Sequence, residues 1–162
     1  MRHFLLFFFL SMLLFSSCKE KTYIYEVNDV LVTPNNAEKD KQKTVEQYLS
    51  ILYANLYQQA LSPSQLVELS DIVASIGDKQ VAYETIVAKM MTDSEVRELL
   101  PKTEDMRADI EHFVKDTYQR FFVRFPTEAE KNHWVNYIES HPNLTPEHIY
   151  FAFATCDEYY HY

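Results

Sequence analysis

The chain has 162 residues, 15 Lys+Arg against 24 Asp+Glu for a formal net charge of −9, and 47% apolar side chains. That acid balance makes nucleic acid and anionic lipid surfaces poor partners, and the length fits one domain with enough apolar material for a core. A single glycine, Gly77, excludes glycine-rich phosphate loops, a GxSxG elbow and calcium loops of the EF-hand kind, all of which need glycine where backbone turns tightly or approaches a ligand.

The chain opens with basic Met1-Arg2-His3 and an apolar run from Phe4 to Phe15, which has the layout of a secretory signal. The run stops at Ser16-Ser17, short of the about 20 apolar residues a spanning helix needs. Phe15-Ser16-Ser17-Cys18 resembles the lipobox of bacterial lipoproteins, with Phe15 where Leu is usual. The resemblance implies that residues 1–17 are removed as a signal peptide and that Cys18 is lipidated, so that its acyl chains hold the protein on a membrane. Lys19, rather than the Asp that favours inner-membrane retention in enteric lipoproteins, implies the outer membrane of a Gram-negative bacterium, on its periplasmic or cell-surface face. Loss of the signal takes away Arg2 alone among the charged residues, leaving 14 basic against 24 acidic side chains.

Residues 18–43 mix charges with Pro34-Asn35-Asn36 and lack a sustained period, and read as a lipidated N-terminus and tether spanning roughly 25 to 30 Å if flexible. Tyr23, Tyr25 and Val30-Leu31-Val32 leave open a second reading, in which the strip lies against the domain.

From residue 44 the sequence predicts helices. Thr44-x-x-Gln47, Ser62-Pro63-x-Gln65, Thr92-x-x-Glu95 and Thr127-x-x-Glu130 read as capping boxes, and Thr145-Pro146-Glu147 adds a further N-cap. Apolar residues at helical spacing place helices at about 44–60, 63–76, 79–92, 104–124, 127–140 and 146–158, with a short turn around 94–100. The stretch from Tyr48 aligns without gaps on the stretch from Phe113, matching Tyr53 with Tyr118, Ser62 with Thr127 and Val73 with Ile138; after a two-residue shift Thr85 falls on His148 and Glu95 on Glu158. The expected fold is therefore all-α: a single helical domain, residues 44–162, of two related three-helix units at about 44–100 and 104–162.

In the second half, Tyr118, Arg124, Pro126, Trp134, Glu158 and Tyr159 form a pattern similar to the helical module of unknown function in bacterial surface-layer and calcium-binding exoproteins, and more distantly to phycobilisome linker modules. Val123 stands where that pattern has glycine, and Asp157 where it has Ser. The resemblance implies a helical fold, not an activity.

No residue set selects a catalytic reading. Cys156 follows Ile149 and Phe153 at helical spacing and is expected as a buried structural thiol. His133 and His148 are expected to face solvent, with no metal or cofactor assigned; Met90-Met91 with Ile86 and Val87 would suit an adaptable binding groove but are expected in the core, as is Trp134. Among the C-terminal tyrosines, Tyr159 is expected to pack, and Tyr160 and Tyr162 to be exposed partner contacts. These readings favour a non-catalytic, lipid-anchored outer-membrane module for protein–protein interaction or assembly in the cell envelope. The alternative is a helical bundle binding a small ligand or cofactor, accessory to an envelope enzyme or uptake system.

Overall fold

A computed structural model describes residues 41–161. Cys18, the tether strip and Tyr162 lie outside the described residues. Helices follow in the order α1 (Val45–Tyr57), α2 (Pro63–Ile76), α3 (Lys79–Met91), α4 (Ser94–Leu99), α5 (Thr103–Ala108), α6 (Ile110–Phe122), α7 (Glu128–Ser140), α8 (Pro146–Ala154) and α9 (Asp157–Tyr160). The described residues contain no strand; one antiparallel bridge joins Gln42 to His161.

Three of the expected capping boxes form, at Thr44, Ser62 and Thr127, each with the Gln or Glu three residues on reaching back to the cap backbone. The fourth shifts by one residue: Asp93, not Thr92, caps α4, accepting from the Glu95 N–H at 2.9 Å, so the expected turn is a helix. The predicted helix 104–124 is two. Asp109 leaves helical backbone at φ −146° and accepts from the His112 N–H at 3.0 Å, because a short carboxylate offers the next turn a better acceptor than the one it interrupts. The predicted helix 146–158 likewise breaks at Thr155–Cys156.

The two halves repeat in backbone and burial. α1 and α6 start 65 residues apart, and each ends in a left-handed residue, Gln58 (φ 53°) and Val123 (φ 57°). Buried positions Tyr48, Leu49, Leu52, Leu56 and Tyr57 of α1 recur at the same spacing as Phe113, Val114, Thr117, Phe121 and Phe122 of α6. With the two-residue shift, Tyr83, Ile86, Val87, Met90 and Met91 of α3 recur as Pro146, Ile149, Tyr150, Phe153 and Ala154 of α8, and Val96 of α4 recurs as Tyr159 of α9. Only α8 is shortened at its start, because Pro142 bars α7 from running on and Pro146 opens the next helix. The loop between them is held by Arg107 of α5, which donates to the carbonyls of Ile138 (2.6 Å), His141 (2.8 Å) and Leu144 (3.0 Å).

The units share one core. α3 packs on its counterpart α8. The Tyr48 hydroxyl donates to the Ala154 carbonyl at 2.9 Å, and the Asn55 amide donates to the Tyr159 hydroxyl at 2.9 Å. At the rim, the Lys43 N–H donates to the Tyr160 carbonyl at 2.8 Å, while its ammonium donates to the carbonyls of Tyr159 and His161. The C-terminal turn of the second unit thus closes over the first.

Candidate functional site

Tyr159 is fully buried, as expected, but Tyr160 is only 8% exposed, which corrects its reading as an exposed contact. Its ring lies 5.5 Å from Tyr48 and 5.6 Å from Tyr83, and burial pushes its hydroxyl pKa up to about 12. The helical turn 157–160 folds back on α1 and α3, so that a ring near the chain end is drawn into the core.

The residues of the exoprotein-like pattern converge in the second unit. Arg124 grips Glu158 through Nε and Nη2, both at 2.7 Å, and Glu130 through Nη1 at 2.9 Å and Nη2 at 2.6 Å. Its guanidinium lies 5.0 Å from the Tyr118 ring centroid. Those bonds hold the Glu130 carboxyl down at about 2, and the same carboxylate accepts from the Thr127 N–H at 2.7 Å. The set ties the α6–α7 loop to α9 and closes the unit. The first unit keeps a reduced version: Gln59, at Arg124's position, donates to Glu95, at Glu158's position, at 2.6 Å.

The other singled-out groups are structural. The Cys156 thiol is half-buried, donates to the Phe153 carbonyl at 3.3 Å, and is pushed up by burial. His133 stacks on Tyr137, and His148 accepts from the Thr145 N–H at 3.2 Å. The described residues include no group of three or more His, Cys, Asp or Glu that could hold a metal ion.

A cleft lies in the first unit, with a volume of about 330 Å³, among α1, α2 and α3; Ile86 and Met90, expected in the core rather than in a groove, line it. Tyr53 and Tyr57 of α1, stacked with centroids 4.2 Å apart, form one wall; Leu69 and Ile72 of α2 face Ile86 and Met90 of α3. Gln65 donates to the Tyr53 hydroxyl at 3.4 Å. The Tyr57 hydroxyl donates to Asp93 at 3.1 Å, and burial, helped by that bond, raises its pKa. Glu68 and Lys89 complete the polar rim. The cleft is open because α2 is poorly covered: Val73 alone of its side chains is buried, while Val67, Ile72 and Ile76 are 61%, 36% and 39% exposed.

The corresponding space of the second unit is filled. Trp134 stands at the position of Leu69 and Phe153 at that of Met90, with their rings 5.0 Å apart; Phe153 also meets Tyr118 at 5.0 Å and Phe122 at 5.1 Å. The same framework is therefore sealed by its own aromatics in one copy and left as an apolar recess in the other. The gapless alignment pairs Leu69 with Trp134, the one signal in the sequence that could have found the difference.

No protein-family model, curated protein or solved structure matches the chain.

Proposed function

We propose that the protein is a non-catalytic, lipid-anchored helical module of the outer membrane that holds a partner protein in the cell envelope. The observation that carries this reading is the contrast between the units: one closed by aromatics, the other keeping an apolar cleft beside a helix whose apolar residues face water. Exposed apolar surface of that kind is costly to maintain and marks interaction sites. Acylation of Cys18, read from the signal and lipobox-like junction, supplies the address.

Two experiments test the two halves of the reading. A photocrosslinking side chain at Ile72 of the full-length protein, in cells that make it, should give a discrete crosslinked protein, and the same group at Tyr137, its counterpart on the sealed unit, should not. Equal labelling from both positions, or none from Ile72, refutes the interaction role. Cys18→Ser should release the protein from membranes or leave its precursor uncut; unchanged size and fractionation refute lipidation.

One observation favours a second reading, in which the bundle binds a small ligand: the cleft's volume of about 330 Å³ lies at the lower end of small-molecule sites. A compound retained through purification and lost on filling the cleft would select it.

A further inference from the structure

We propose that the cleft of the first unit receives a tryptophan side chain from a partner segment flanked by lysine or arginine. The inference rests on the partner-holding reading above and states what that partner must present.

The second unit shows what the cavity's shape accepts. At matching positions the indole of Trp134 lies against Phe153, with the ring centroids 5.0 Å apart. In the first unit each surrounding element persists: Tyr53 stands for Tyr118, with its hydroxyl at the cleft, Tyr57 for Phe122, and Ile86 for Ile149. What is missing is the large ring itself, because α2 supplies Leu69 there. A bound indole would restore the aromatic packing and find in the Tyr53 hydroxyl an acceptor for its N–H; the Gln65 donor at 3.4 Å leaves that oxygen a lone pair. Aliphatic chains would fill the recess but leave the hydroxyl's acceptor capacity unused.

Charge selects the flanks. α2 carries Glu68 and Asp71 and no basic residue, and the only cation among the lining side chains is Lys89. Asp93 is fixed by Tyr57 and by the start of α4, so Glu68 is the remaining lining carboxylate, with exposed Asp71 on the same helix outside the lining. A segment with a cation on either side of its ring meets them favourably, and an acidic segment is repelled.

The test titrates detergent-solubilised full-length protein with capped tripeptides Lys-Trp-Lys, Lys-Ala-Lys and Glu-Trp-Glu, read from the methyl NMR signals of Leu69 and Met90. Lys-Trp-Lys should bind and shift both; Lys-Ala-Lys should not bind, and Glu-Trp-Glu should bind about tenfold more weakly. Leu69→Trp, which copies the second unit, should cut Lys-Trp-Lys affinity by about tenfold or more with helicity retained. If that variant unfolds, Met90→Phe gives the same reading from the opposite wall. Binding of Lys-Ala-Lys equal to that of Lys-Trp-Lys, or binding that survives in a folded cleft-filled variant, overturns the proposal. Binding that appears only after deletion of residues 19–40 assigns the cleft to the chain's own segment, and self-association lost in Leu69→Trp assigns it to a second copy; either overturns it. A discrete crosslinked protein from Ile72 without tripeptide binding removes the tryptophan inference alone and leaves the partner-holding reading standing.

Discussion

Arg124→Gln converts the closure of the second unit into that of the first, where Gln59 does the same task with one bond. The wild-type guanidinium makes four charge-assisted contacts of 2.6 to 2.9 Å to two carboxylates. Hydrogen bonds to charged groups are worth roughly 1.5 to 3 kcal/mol each where water is excluded. Here the three side chains are 29% to 32% exposed, so water recovers part of that loss. The substituted Gln also keeps a bond to Glu158, as Gln59 does to Glu95, and the net cost is about 2 kcal/mol, or about 8 °C in melting temperature for a domain of this size. The pH dependence tests the cause. In the wild type Glu130's folded pKa of about 2 lies below its ordinary 4.5, so its contribution is complete above about pH 4.5 and is lost as pH falls through about 2. In Arg124→Gln only the Thr127 bonds still favour the Glu130 carboxylate against burial, so its folded pKa moves back toward 4.5 and the stability lost on acidification below about pH 4.5 should be smaller than in the wild type. Thermal unfolding followed by circular dichroism at pH 7, 5 and 3 measures both curves. A variant within 0.5 kcal/mol of wild type, or parallel pH profiles, would refute the account.

A chain ending after Pro101 should show no cooperative melt, because α1 and α3 lose Ala154, Tyr159 and Tyr160 from their buried faces; a sharp transition from that half would count against the shared core. Tyr160→Ala should cost about 2 to 4 kcal/mol, since the ring is buried, and a melting temperature within 2 °C of wild type would return Tyr160 to the surface. Val123→Gly should stabilise by about 1 kcal/mol, because a β-branched residue at φ 57° is strained and its side chain, 89% exposed, gives up no burial; denaturant titration with a lowered midpoint would show that the loop needs the Val.

Helix starts were legible because a cap is a local event: Thr44, Ser62 and Thr127 need only the residue three positions on. The repeat was legible for a related reason, since a copy preserves spacing even where identities are few. The break at Asp109 was not, because 104–124 keeps helical apolar spacing straight through it; the kink is fixed by an Asp side chain and by Arg107 reaching carbonyls more than thirty residues away. Tyr160 was misread because chain ends are usually loose, and what pulls it inward, the tyrosines of α1 and α3, is remote in sequence. The cleft was illegible in either copy taken alone. Leu69 reads as an ordinary core residue until it is known that its counterpart, Trp134, fills a volume that Leu69 leaves empty.

The seam of Lys43 with Tyr160 and His161 lies where the chain enters α1, and α1 carries Tyr53 and Tyr57 to the wall of the cleft. In a protein moored at Cys18 and gripping a partner at the cleft, tension would run from the tether along the 13 residues of α1, about 20 Å, and out through the partner. Beyond the seam that load path would run clear of the second unit. The second unit's mechanical part would then be that of a buttress, bracing α1 through Tyr159 and Ala154, and the seam where its C-terminal turn holds Lys43 is the first joint that a pull at residue 41 would strain.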